Sequence, residues 1–232
     1  MDARQRALYL DALGIDEWLP RFAEAGSVAS AASGGAEASE TWEALRAEVK
    51  MCTRCPLHRT RTQSVFGVGD IHAQWLVVGE APGAEEDRQG EPFVGRAGQL
   101  LDSMLRAIGL ARGENVYIAN ILKSRPPGNR DPNPQEVASC LPYLKRQIEL
   151  IRPLLILAVG RIAAQNLLGV ATSLGSLRGR LHHFGELNTP LVVTYHPAYL
   201  LRTPGDKRKA WEDLKFARSA FRELTACVSA RP

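Results

Sequence analysis

No apolar stretch of this chain reaches the roughly 20 residues that a membrane-crossing helix needs. The N-terminus carries Asp2, Arg4 and Arg6 where a secretion signal would place its apolar core. The expectation is a cytoplasmic protein with no membrane contact. Cysteine is scarce, with four residues (Cys52, Cys55, Cys140 and Cys227) in a chain of 232. The tight Cys52-Thr-Arg-Cys55 pair points to metal, cluster or redox chemistry rather than to a structural disulfide. Internal repeats are absent. No Gly-Lys-Ser/Thr ending follows a glycine-rich loop, which excludes the phosphate loop of nucleotide hydrolases. Charge of either sign is nearly balanced: the net value is +4, a mild basic bias that suits a polyanionic partner without demanding one.

What is present is a hydrophobic fraction of 45%, enough for one α/β domain with an appendage. Arg4–Phe22 reads as one or two short amphipathic helices. Gly26–Ser39 is nearly all Ala, Ser, Gly and Glu, the composition of a flexible linker. The expected organisation is a helical extension over 1–25, a linker over 26–40, a main domain over 41–226 with Thr41 capping its first helix, and a tail over 227–232. Within the domain four apolar runs, Gln74–Val78, Val116–Ala119, Leu154–Val159 and Leu191–Thr194, alternate with amphipathic stretches. Such runs read as strands buried on both faces. The prediction is a three-layer α/β/α sandwich around a central four-stranded parallel sheet.

Each run ends in a short polar loop, and in parallel sheets ligands bind beyond the carboxyl ends of the strands. Gly79-Glu80-Ala81-Pro82-Gly83 forms a tight turn with exposed amides, suited to an oxygen-rich ligand, and acids follow at Glu85, Glu86 and Asp87. Phe93, between Pro92 and Gly95, is a loop aromatic able to stack on a planar ligand or to plug a core edge. Asn120 offers an acceptor and two donors, enough to read a pyrimidine edge; the commoner fate of Asn is a cap or turn. His196 can donate to a developing oxyanion or act as acid or base. Leu200 and Leu201 are core residues or a wedge that opens a base stack.

These four motifs, in this order and with Lys123-Ser124-Arg125-Pro126-Pro127-Gly128-Asn129-Arg130 after Asn120, resemble the family 4 uracil-DNA glycosylases, the branch that carries an iron–sulfur cluster. The resemblance covers roughly Thr41 to Leu224. It implies a repair enzyme that flips uracil out of single- or double-stranded DNA, hydrolyses the N-glycosidic bond and leaves an abasic site. In that reading Gly79 and Ala81 help form the base pocket, Phe93 stacks on the uracil and Asn120 reads its edge. His196 donates to O2, and Glu86 orients water and steadies the sugar cation. Asn129 supports that carboxylate, and Glu80 is the alternative acid. Arg125, Arg130 and Arg202, with Arg178, Arg180, Lys207, Arg208 and Lys209, are candidates for phosphate contacts, and Leu200 or Leu201 for the wedge.

The family's cluster has four cysteine ligands. Cys52, Cys55 and Cys140 match three of them, and Ser124 stands at the fourth. A 4Fe-4S cluster with Ser124 as ligand, a three-iron cluster, an empty structural pocket and zinc on three cysteines are the alternatives; a cluster that is present but labile is expected. A relative branch crosslinks to the abasic sugar through a histidine in a basic insertion, and Pro126–Pro134 has none, so turnover is expected. The partners implied are uracil-containing DNA, no second copy of the chain, and a protein partner for the N-terminal extension. The rival from another class is a non-catalytic DNA-binding or replication-associated module on the same fold. An enzymatic rival acts on hypoxanthine or xanthine. A redox module on Cys52 and Cys55 lacks the expected thioredoxin-like surround.

Overall fold

In a computed structural model of the chain, residues 34–229 are described. The expected helical extension, most of the linker and the last residues of the tail lie outside them. In chain order the elements are helix α1 (Gly34–Lys50), β1 (Val68–Gly69), β2 (Trp75–Gly79), α2 (Ala84–Gln89), α3 (Arg96–Ala107), β3 (Val116–Asn120), α4 (Pro134–Ile151), β4 (Leu155–Val159), α5 (Arg161–Leu168), α6 (Leu174–Leu177), β5 (His182–Phe184), β6 (Thr189–Thr194), α7 (Pro197–Arg202) and α8 (Lys207–Ser229). Two boundaries differ from expectation. The first helix begins at Gly34, so residues 34–40 are helix rather than linker and Thr41 is not a cap. The last helix runs through Cys227 to Ser229, into the expected tail.

The sheet has six strands in the order β1-β3-β2-β4-β6-β5. The four central strands are the four predicted ones and are parallel; β1 and β5 add antiparallel edges. Burial follows the two-residue period of the pleat. Leu76 and Val78 of β2 face one core with Trp42, Leu45, Leu144 and Ile148 from α1 and α4. Trp75 and Val77 face the other with Leu101, Leu105, Leu214 and Ala217 from α3 and α8. The chain winds outward to opposite sides of β2, to β3 on one side and through β4 to β6 on the other, and the crevice at that switch point lies beside Gly79.

The predicted start of α4 at Asn133-Pro134-Gln135-Glu136 is a capping box in which Asn133 N–H donates to Glu136 Oε2 at 2.8 Å. Among the described residues no helix is long and apolar enough to cross a membrane.

Candidate active site

The carboxyl ends of β2, β3 and β6 open on a cavity of about 420 Å³ lined by Glu80, Phe93, Asn120, His196 and Arg202, among others. That volume suits a small planar ligand. The site lies wholly within Glu37–Pro232, the larger of the two units into which the chain divides.

Gly79 closes β2 where no side chain fits. A methyl group there would meet Asn120 Oδ1 and come within 2.6 Å of Phe93 Cζ. The missing Cβ therefore lets the Asn120 amide and the Phe93 ring converge. Asn120 is buried at the end of β3, and its Oδ1 has no hydrogen-bond partner. A buried acceptor left open in this way carries a desolvation cost that a donor from a ligand would remove.

Phe93 holds a left-handed backbone, φ 56°, a conformation that costs a non-glycine residue about 1 kcal/mol or more. Arg112 holds the loop in place, donating to Pro92 O at 2.9 Å and Phe93 O at 2.7 Å while pairing with Asp102. Gly98 leaves room for the Phe93 carbonyl, which a Cβ would strike. Sequence reasoning missed Arg112, because its role runs through backbone carbonyls 19 and 20 residues away.

Glu86 lines the cavity and accepts three hydrogen bonds from loop amides. Oε2 accepts from Gly83 N–H at 3.1 Å, and Oε1 accepts from Val94 at 3.0 Å and Gly95 at 3.1 Å. It ties the Gly79–Gly83 turn to the Phe93 loop. Glu80, half-buried on the cavity wall, has a carboxyl pKa raised to about 7, chiefly by desolvation and then by Asp131, with Arg161 opposing. Arg161 itself pairs with Asp131 at 3.0 Å.

His196 Nδ1 accepts from Ala198 N–H at 3.1 Å, which leaves the proton on Nε2. Desolvation, and then the charge of Arg202, lower its pKa to about 4 against the pull of Glu86. The ring is a neutral donor near pH 7, tilted 32° to Phe93 with centroids 5.6 Å apart.

Other expected residues fare differently. Ala81, Asn129 and Arg130 line the cavity, but Asn129 Oδ1 accepts from Arg125 Nε at 2.7 Å; its partner is that arginine rather than Glu86. Arg130 forms a two-pronged pair with buried Glu136 at 2.9 and 2.6 Å, which steadies the start of α4. Leu200 is 1% exposed and packs in the core with Leu101 and Leu214, so it cannot be a wedge. Leu201, at 37%, points outward.

Cys52, Cys55, Ser124 and Cys140 gather in one recess at the far end of the Lys123–Arg130 loop, with His58, Arg61 and Tyr143. Cys227 lies elsewhere, beside Arg152 and Leu154 at the amino end of β4. Ser124 Oγ accepts from Arg61 at 2.8 Å, and the same guanidinium caps the carbonyls of Lys50 and Cys52 at 3.0 Å each. Burial raises the thiol pKa of Cys140 to about 11, opposed by the Lys123 N–H that donates to its sulfur at 3.1 Å.

Among the described residues no three His, Cys, Asp or Glu side chains are close enough to hold a metal ion. The recess offers three thiols and one hydroxyl as donors, and thiolate is the ligand class of iron–sulfur clusters. Lys123 links this recess to the cavity. Its buried ammonium, with a pKa lowered by desolvation to about 8, donates to Asn120 O at 3.0 Å and Gln147 Oε1 at 2.6 Å.

Residues 66–215 match the family model of the uracil DNA glycosylase superfamily. The chain is 44% identical over 182 residues to a type-4 uracil-DNA glycosylase of Archaeoglobus fulgidus, covering 76% of this chain and 91% of that one. It is 44% identical over 172 residues to the type-4 enzyme of Pyrobaculum aerophilum (72% and 87% covered) and 43% identical over 188 residues to that of Thermotoga maritima (79% and 96%). Family model, relatives and cavity agree, and the chain belongs to the type-4 uracil-DNA glycosylases of this superfamily.

Proposed function

We propose that the cavity receives a uracil flipped out of DNA and that the chain hydrolyses its N-glycosidic bond, leaving an abasic site for repair. The observation that carries this reading is the buried, partnerless Asn120 Oδ1 beside the Phe93 ring. Uracil presents an N3–H donor and an O4 acceptor, the complement of a carboxamide; cytosine presents the reverse pattern. Phe93 is the stacking surface, preset by Arg112 and Glu86.

His196 Nε2–H donates to uracil O2 as negative charge gathers on the departing base. Being neutral, it stabilises that charge without first giving up a proton. Glu80 orients the attacking water and balances the sugar cation; its cavity-lining carboxylate makes no hydrogen bond among the described residues, whereas Glu86 accepts three from loop amides. Glu86 then acts through geometry and through its charge beside His196.

Asn129 sets the Arg125 side chain. With Arg202 and Leu201, Arg125 faces the DNA, single- or double-stranded. Cys52, Cys55 and Cys140 would hold an iron–sulfur cluster of the four-iron type, with Ser124, kept in place by Arg61, as the remaining donor. The reduced thiols this needs suit the cytoplasm. Such a cluster would supply a structural crosslink between the Cys52–Cys55 segment, the Ser124 loop and α4.

Asn120→Asp tests the reading. Excision of cytosine should rise relative to uracil on matched oligonucleotides; an unchanged ratio sinks the proposed edge recognition.

A further inference from the structure

Tyr199 lines the cavity between Ala198 and Arg202, and nothing in the chemistry above uses it. Its ring stacks on Tyr195, centroids 5.3 Å apart and planes within 13°. Tyr195 in turn lies beneath the Arg178 guanidinium, 4.5 Å from the ring centre. This column is fixed from several sides. Arg178 pairs with buried Asp213 at 2.7 Å and caps Lys209 O at 2.7 Å. Asp213 also accepts from Thr194 Oγ1 at 2.8 Å. Tyr199 Oη donates to Asp206 at 2.6 Å, and Asp206 pairs with Lys209 at 2.8 Å. Buried Leu200 anchors α7 from below.

Among the described residues no second ring or guanidinium stacks on Tyr199. Arg202 shares the cavity lining with Tyr199, and Lys207 and Arg208 follow as exposed cations at the start of α8. A rigid aromatic face beside a base pocket, flanked by cations, is the arrangement that binds a nucleotide by stacking and by phosphate attraction.

We infer that Tyr199 is a stacking platform for the base next to the flipped uracil on the same strand, with Tyr195 and Arg178 as its rigid backing. This rests on the proposed function. The base that fills it can be any of the four, because every base has a face to stack. Tyr199 therefore contributes affinity for the strand rather than selectivity for uracil. Because the column is already ordered, little conformational freedom is lost on binding.

The test compares wild type, Tyr199→Phe and Tyr199→Leu on single-stranded oligonucleotides with one uracil. The neighbouring nucleotide on either side is either normal or an abasic analogue. Tyr199→Leu should lose about 5- to 100-fold in kcat/KM on the normal strand, the range expected for one base–aromatic stack. That loss should vanish when the abasic analogue occupies one of the two neighbouring positions. Tyr199→Phe, which keeps the ring but loses the hydrogen bond to Asp206, should fall far less than Tyr199→Leu and keep the wild-type dependence on the neighbouring nucleotide. The ratio of the two substrates is taken within each preparation, so a fraction of misfolded variant cancels.

Inhibition by free uracil should be the same in all three proteins. An equal loss on normal and abasic-flanked strands overturns the platform, as does a matching loss of free-uracil binding, which would put Tyr199 in the base pocket. Wild-type protein that releases no uracil refutes the proposed function itself, a result distinct from either.

Discussion

Glu80→Gln separates the two candidate carboxylates, because it acts on stability and on rate through one group. In the fold the Glu80 pKa is about 7 against an ordinary 4.5. Between those values the folded state binds a proton that the unfolded chain has released, so stability falls as pH rises from about 4.5 to about 7. For a fully desolvated group that displacement corresponds to about 3 kcal/mol. The carboxyl is half exposed and screened by solvent, which reduces the expectation to about 1–2 kcal/mol.

Glutamine keeps the shape and drops the charge. The variant should therefore melt about 2–8 °C above wild type at pH 8 and level with it near pH 4. Its activity should move the other way. The wild-type rate should climb with pH through about 7 as Glu80 ionises, with no limb near 6.5 from His196, whose pKa lies near 4. Glu80→Gln should flatten that climb and cost about 100-fold or more in kcat. Single-turnover excision from pH 5 to 9, with thermal melts in the same buffers, reads both effects. A pH–rate limb that survives unchanged in Glu80→Gln would refute the assignment and return the role to Glu86.

Two further substitutions probe separate parts of the account. Gly79→Ala places a methyl group against Phe93 and the Asn120 carboxamide; excision should fall about 100-fold with the circular dichroism spectrum retained, and near-wild-type kinetics would show that the close approach is dispensable. Ser124→Cys restores a softer fourth ligand. It should raise the iron content per chain and slow bleaching of the visible absorbance in air, and equal content and lifetime would show that the oxygen corner does not limit the cluster.

The four central strands were readable because each is buried on both faces and so appears as an unbroken apolar run. The edges were not: β1 is two residues long and β5 is His-His-Phe, too short or too polar to leave a pattern. Residues 34–40 read as linker because of their small side chains, although Ala and Glu also favour helix. At the site, Phe93, Asn120 and His196 stood out because their neighbours form recognisable loops. Arg112, Lys123 and Arg61 did not, since each works through carbonyls or single atoms set by the tertiary fold.

Which of two nearby glutamates is tied to the loops depends on where the Gly83, Val94 and Gly95 amides point. No spacing rule encodes that. Leu200 and Leu201 are equivalent as text, and only the helical phase of α7 turns one inward and the other out.

The most direct test uses a labelled oligonucleotide with a single uracil, incubated with wild type or His196→Ala and then cleaved at abasic sites with alkali. The account predicts strand scission by wild type and a loss of about 100- to 1000-fold in the variant, the usual cost of removing one oxyanion donor. Soluble, folded wild-type protein that yields no scission would contradict it and favour a module that binds DNA without cutting the base from it.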